Sequence, residues 1–366
     1  MKRYEPLDVF RGMTMALMIV LNTPGSWSHV YSPFLHASWH GFTPTDLVFP
    51  SFLFAVGNSM AFVSKKWVNL ETKDVLLKGV KRGFLIFLAG YLLYWFPFFR
   101  PNAEGVWHFK TIDTTRIFGV LQRIGTCYIL AMVLVVFVKG RALVYSSLLI
   151  LLGYWGVMYL FGDYSLEASA ARILDLNLLG AGHMYGGEGI PFDPEGILST
   201  FPAVINVIGG YLVGVFIRDK GSSFEMLAKL MLMGCFLMFG SYIWDLGFPI
   251  NKKIWTSSYV LLTVGMDMVI LGGIIYLMEF NSNKWKFSVF NTYGKNPLFI
   301  FLLSGVVAKM MYLIKIGDAN IYHLTYVNGF EWLGDKPGSL AFALSFALLY
   351  YLISLWMERK KIFIRI

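Results

Sequence analysis

The stretch "TSSYVLLTVGMDMVILGGIIYLME" (256–279) carries one charge, Asp267, between its polar ends. A helix needs about 20 mostly apolar residues, at 1.5 Å each, to cross a hydrocarbon core, and this run is long enough. Nine further runs of the same kind lie at roughly 7–22, 44–64, 79–99, 115–138, 141–161, 196–217, 224–244, 294–315 and 338–357. The first is the shortest and holds Arg11. No repeat, soluble domain or low-complexity linker interrupts them. The expected fold is all-α, a polytopic membrane bundle of about ten helices forming a single domain over 1–366.

Composition agrees. The chain is 57% hydrophobic and only 14% charged, too little charge to cover a soluble domain of 366 residues. Its net charge of +9 could suggest nucleic-acid binding, but the basic residues mark membrane orientation instead. Cys127 and Cys235 both lie in apolar runs and read as small hydrophobes, so neither a disulfide framework nor a metal site is implied. Asp8 and Arg11 interrupt what would be the apolar core of a signal peptide, so the first helix is expected to be retained.

Orientation follows from Lys and Arg, which gather on cytoplasmic connections. They cluster at Lys2, Arg3 and Arg11, along 65–82, at Lys139 and Arg141, at Arg218, Lys220 and Lys229, at Lys284, Lys286 and Lys295, and in the final "ERKKIFIRI". These are alternate connections plus both termini, which places both ends in the cytoplasm. The opposite connections are 23–43, 100–114, 162–195, 245–255 and 316–337, and they hold all six histidines: His29, His36, His40, His108, His183 and His323. Side chains that titrate near neutrality therefore face outward.

"HASWHG" (36–41) is the most suggestive of these sites. Its two histidines read as solvated loop residues, as a metal pair at i and i+4, or as a general base at the mouth of the bundle. No HExxH or Cys/His cluster joins them, so no metal is expected. "TPTD" (43–46) fits a capping box, with Thr43 as N-cap, Pro44 first and Asp46 third; the same carboxylate could orient a histidine. "DPEG" (193–196) reads the same way before the sixth run, with Asp193 as cap. Asn22, in "LNTPG", is by default a helix-ending turn residue.

Charges inside a membrane are costly and tend to be paired or to line a cavity. Arg123 lies about 12 Å inside the fourth run and Asp267 about 16 Å inside the eighth, at 1.5 Å per residue. They could pair with each other or line a polar tunnel, with Asn58 as a further wall. Arg116 stands seven residues before Arg123, on the same helix face. Lys309 would snorkel from the outer end of its helix. On the cytoplasmic side, Lys78, Lys81 and Arg82 open the third run, while Lys295 and Asn296 open the ninth. They read as ordinary positive-inside charge and capping, or as phosphate ligands at helix N-termini. Nothing resembles a Walker A loop or GxGxxG.

Several stretches together resemble the heparan-alpha-glucosaminide N-acetyltransferase family of transmembrane acyltransferases, bacterial members included. They are "LDVFRGMTMALMIVLN" (7–22), "HASWHGFTPTDLVFPSFLFAVGNSM" (36–60), "RIFGVLQRIGTCY" (116–128), "DPEGILST" (193–200), "PINKKIWTSSYV" (249–260) and "YGKNPL" (293–298), in family order over nearly the whole chain. The resemblance implies acetyl transfer across a membrane, from cytosolic acetyl-CoA to an amino sugar on the far side. By position, His36 corresponds to the family's active-site histidine and Asn22 to its neighbouring asparagine. His40 stands where the eukaryotic pattern has Asn, so no role is carried over to it.

On this reading His36 is the base, or a transient acetyl carrier, and Asn22 and Asp46 orient it or hold the oxyanion. Arg116, Arg123, Asn58 and Asp267 line the acetyl-CoA channel, and Lys78, Lys81, Arg82, Lys295 and Asn296 meet its phosphates. The implied partners are a small-molecule acyl donor, a sugar acceptor and the lipid bilayer of a bacterial inner membrane, with a homodimer allowed and no nucleic acid. The rival classes are an O-acetyltransferase of a cell-envelope glycan and a sugar transporter or flippase without chemistry.

Overall fold

The computed structural model describes residues 4–101, 106–281 and 284–364. Lys2, Arg3 and Arg365, part of the orientation argument, lie outside the described residues. The helices run α1 (Glu5–Asn22), α2 (Val48–Ser64), α3 (Thr72–Trp95), α4 (Val120–Phe137), α5 (Arg141–Leu160), α6 (Ala170–Leu179), α7 (Ile197–Lys220), α8 (Phe224–Asp245), α9 (Ser257–Ile275), α10 (Ser288–Tyr293), α11 (Pro297–Leu313), α12 (Ile321–Gly329) and α13 (Asp335–Arg359). Two short antiparallel hairpins, Phe99–Pro101 with Trp107–Phe109 and Lys315–Ile316 with Ala319–Asn320, lie in connections.

Seven helical segments are long and apolar enough to cross a membrane: Pro44–Trp67, Val120–Phe137, Arg141–Leu160, Ile197–Lys220, Phe224–Asp245, Ser257–Phe280 and Asp335–Arg359. The other three expected runs are also helical, but differ in kind. α11 is apolar but shorter. α1 carries Glu5, Asp8 and Arg11, and α3 opens on Lys73, Asp74, Lys78, Lys81 and Arg82.

The bundle packs through small residues. α2 lies most closely along α7, α8 along α9 and α3 along α4. A side chain at Gly57 of α2 would collide with the Val207 carbonyl of α7, and one at Gly210 of α7 with the Phe54 carbonyl of α2. Such contacts suit helices in lipid, where close backbone approach replaces hydrophobic collapse as the source of attraction. α5 and α8 leave Leu149, Tyr159, Leu160, Phe236 and Phe239 exposed, an apolar outer surface that suits hydrocarbon better than water.

Several helix boundaries differ from the sequence reading. α3 begins at Thr72 rather than at 79, so Lys78, Lys81 and Arg82 occupy its second and third turns, where the backbone N–H groups are already used. α4 begins at Val120, which leaves Arg116 in the connection before the helix and Arg123 only four residues into it. The heptad placing both arginines on one helix face therefore does not exist, nor does the 12 Å depth. α7 starts at Ile197 and is not capped by Asp193; its Ile197 N–H goes to Asp175 of α6 at 2.9 Å. Asp193 instead turns back on its own loop, accepting the Glu195 N–H at 3.0 Å.

Candidate active site

Residues 35–46 fold as a hook that returns to the head of α2. Pro44–Leu47 forms a tight helical turn leading into α2, as "TPTD" predicts: Pro44 supplies a preset φ, and Asp46 Oδ2 accepts the Thr43 N–H at 3.0 Å. The same oxygen accepts the Ala37 N–H at 3.1 Å and the Thr43 hydroxyl at 3.0 Å. The other oxygen, Oδ1, lies 2.6 Å from His36 Nδ1. Asp46 itself is buried, and its backbone carbonyl is held by the Tyr259 hydroxyl at 2.6 Å.

This geometry fixes the tautomer. A carboxylate only accepts, so His36 Nδ1 carries the proton and Nε2 is left with its lone pair. The imidazole side chain is about half exposed while its carboxylate is 1% exposed. A buried acceptor that orients an accessible imidazole is the arrangement of a general base.

A third residue, Lys252, completes the site. Its Nζ lies 3.0 Å from His36 Nδ1, 3.1 Å from Nε2 and 3.8 Å from Asp46 Oδ1. Burial pushes its ammonium below the usual lysine range, although Asp46, Glu195 and Glu188 act to hold it up. The loop presenting it is tied to itself. Asn251 Oδ1 takes the Ile254 N–H at 3.1 Å, Thr256 Oγ1 takes the Asn251 N–H at 3.0 Å, and the Trp255 N–H returns to the Lys252 carbonyl at 3.1 Å. Trp255 adopts φ 51°, a left-handed conformation that costs a bulky residue on the order of 1–3 kcal/mol. Burial between Phe49 and Tyr259, and a bond from its indole N–H to Asn206 Oδ1 at 3.0 Å, hold it there.

Beneath this centre lies a charged cluster built from "DPEGILST". Arg116 meets Asp193 at 2.9 and 2.6 Å, also pairs with Glu195, and lies 5.1 Å above the Tyr94 ring and 4.8 Å from that of Tyr185. Burial would raise the Glu195 carboxyl, but Arg116, Arg123 and Lys252 hold it below the usual carboxylate range. Lys252 therefore stands between the His36–Asp46 pair and the Arg116 cluster. Arg123, fully buried, gives one N–H to the Gly196 carbonyl at 3.0 Å and another to Ser199, and stacks on Trp255 at 4.9 Å. Its Nε and Nη1 have no partner among the described residues. α4, α7 and α9 all begin beside this cluster, and α2 begins beside His36, so four helix N-termini point their free N–H groups into one region.

Other expected residues fall elsewhere. Arg123 and Asp267 do not pair, because Asp267 takes the Ser51 hydroxyl at 2.5 Å. Asn58 returns its amide to the Phe54 carbonyl at 3.3 Å, at the α2–α7 crossing. Asn22 ends α1 exposed, with no hydrogen bond to His36 or Asp46 among the described residues. Lys309 does not snorkel; it caps the last turn of α3 through the carbonyls of Leu93, Tyr94 and Phe96. Lys295 pairs with Glu358, and Asn296 holds Ile362 and Ile364 at 3.0 and 2.9 Å, so both anchor the segment after α13. Lys78 and Lys81 are exposed, and Arg82 lies 5.1 Å from the Tyr128 ring. Among the described residues no group of three or more His, Cys, Asp or Glu could hold a metal ion.

The sequence reading missed Lys252, although "PINKKIWTSSYV" contains it. Its signal was available: two adjacent lysines stand on a connection that should be poor in them if it faces outward.

Fold and site together define a helical membrane protein with a histidine–carboxylate base at one end of its bundle. Residues 3–242 match the family model described as heparan-alpha-glucosaminide N-acetyltransferase, catalytic, and the chain belongs to that family. Heparan-alpha-glucosaminide N-acetyltransferase of Homo sapiens is 27% identical over 88% of this chain and 56% of its own length. The Mus musculus protein of the same name is 27% identical over 82% of this chain and 53% of its own. The chain thus spans about half the length of the curated relatives it matches.

Proposed function

We propose that this protein transfers an acetyl group from cytosolic acetyl-CoA to the amine of an amino sugar on the extracytoplasmic side, with His36 as general base. The observation that carries the reading is the 2.6 Å bond from His36 Nδ1 to buried Asp46, which leaves Nε2 basic and aimed outward from the hook. An amine attacking a thioester must lose a proton as the C–N bond forms and the C–S bond breaks. His36 Nε2 takes that proton, Asp46 stabilises the resulting imidazolium, and the proton passes on to the departing thiolate. Positioned donors at the carbonyl oxygen would supply the remaining stabilisation.

The two ends of the bundle suit the two substrates. Tyr94, in the last turn of α3, touches Arg116, whereas Arg82 stands about 18 Å back along the same helix at 1.5 Å per residue. The exposed cations Lys78, Lys81 and Arg82 therefore lie at the far end from the base, where the phosphates of a cytosolic donor would arrive. In this reading both termini are cytoplasmic and ten helices cross the membrane.

Incubating the purified protein with labelled acetyl-CoA and a panel of amino sugars tests the assignment. Label should appear on nitrogen; label only on hydroxyl oxygen, or none, would replace it with the O-acetyltransferase or transporter reading.

A further inference from the structure

We propose that Lys252 is a catalytic residue: it occupies the basic nitrogen of His36 at rest and transfers its N–H to the acyl oxygen when the thioester arrives. The inference rests on the His36 reading above. Because His36 Nδ1 already donates to Asp46, the imidazole atom able to accept from Lys252 is Nε2, at 3.1 Å. Nε2 is also the atom that must receive the substrate's proton. The base of the resting site is therefore covered by a cation.

That contact is not what an ordinary loop lysine makes. Such side chains normally extend into water. Lys252 keeps only 17% of its side chain exposed and turns inward toward His36 and Asp46, while its neighbour Lys253 pairs with Glu188 at 2.5 Å and takes the Ser38 carbonyl at 2.8 Å. The closed loop 251–256 and the left-handed Trp255 fix the direction in which Lys252 leaves the backbone.

The electrostatics give the contact a consequence. An ammonium about 3 Å from the ring opposes formation of the imidazolium. Once a thioester carbonyl lies within reach of Nζ, the oxygen gains negative charge as the amine attacks, and the same ammonium becomes its counter-charge. Opposition to the imidazolium falls in step with growth of the oxyanion. Lys252 would thus silence the base without donor and assist it with donor, limiting reaction of His36 with other electrophiles.

Two readouts that move in opposite directions test this. Lys252→Met should lower kcat for acetyl transfer by about 10²–10³-fold, the cost of losing one oxyanion donor, with little change in KM for acetyl-CoA. The same substitution should speed ethoxycarbonylation of His36 by diethyl pyrocarbonate, followed by peptide mass spectrometry, because Nε2 is uncovered. If Lys252→Met is not monodisperse, Lys252→Gln serves for both measurements. Retained transfer, or unchanged or slower modification of His36, would overturn the proposal. Were the wild type itself inactive with every acceptor, the acetyltransferase reading would fail, while the modification rates would still decide whether Lys252 covers His36.

Discussion

One carboxylate, Asp46, does two jobs. Oδ2 closes the turn that starts α2 and Oδ1 fixes the tautomer of His36. The capping box was legible from "TPTD" alone, and the histidine from "HASWHG", but their contact was not, because it depends on how residues 37–42 fold back. Lys252 was less legible still: it comes from a loop more than two hundred residues away. Two substitutions separate the jobs. His36→Ala should leave the fold intact and lower transfer by about 10²–10⁴-fold, the usual worth of a general base. Asp46→Asn should retain the turn, since an amide oxygen can still accept from Thr43, yet offer an N–H to Nδ1 and move the imidazole proton to Nε2. Its activity should fall as far as that of His36→Ala, with a melting temperature near wild type. A variant that melts early but turns over normally would make Asp46 a cap and nothing more.

At the scale of elements, hydropathy located every long helix, because lipid-length apolar runs have few alternatives. It misplaced their starts. A charge three or four residues outside a helix looks much like one just inside it, as Arg116 shows, and α7 takes its cap from a helix 22 residues upstream, which no local pattern announces. Asp175, the capping residue, is buried against Gly196, where any side chain would collide with its carboxyl. Burial, with a smaller contribution from Asp193, pushes its pKa up to about 7, against the opposing pull of the Ile197 N–H and Arg123. The sign follows from the proton count. Between the unfolded value of 3.8 and about 7, the folded chain keeps a proton that the unfolded chain has lost. Its stabilising contribution is complete below that window and is lost as pH rises through 7. The melting temperature of the wild type relative to Asp175→Asn should therefore decline from pH 5 to pH 8. A pH-independent difference would mean that Asp175 titrates normally.

At the scale of the whole molecule, the bundle separates two chemistries. Its α2, α4, α7 and α9 N-termini surround the acid–base centre, and the exposed cations of α3 lie toward the opposite end. Lys295 and Asn296, which composition alone grouped with those cations, serve instead to secure the segment after α13. The arrangement makes sense for a protein that keeps donor and acceptor on different sides of a membrane and lets the acetyl group alone pass between them. The most direct test uses sealed vesicles of known orientation, with an amino sugar trapped on the His36 side and labelled acetyl-CoA added on the side of Lys78 and Lys81. Wild-type protein should acetylate the trapped sugar, and His36→Ala protein in the same vesicles should not. Acetylation only when donor and acceptor share one compartment, or equal label with His36→Ala, would contradict transfer across the membrane on His36.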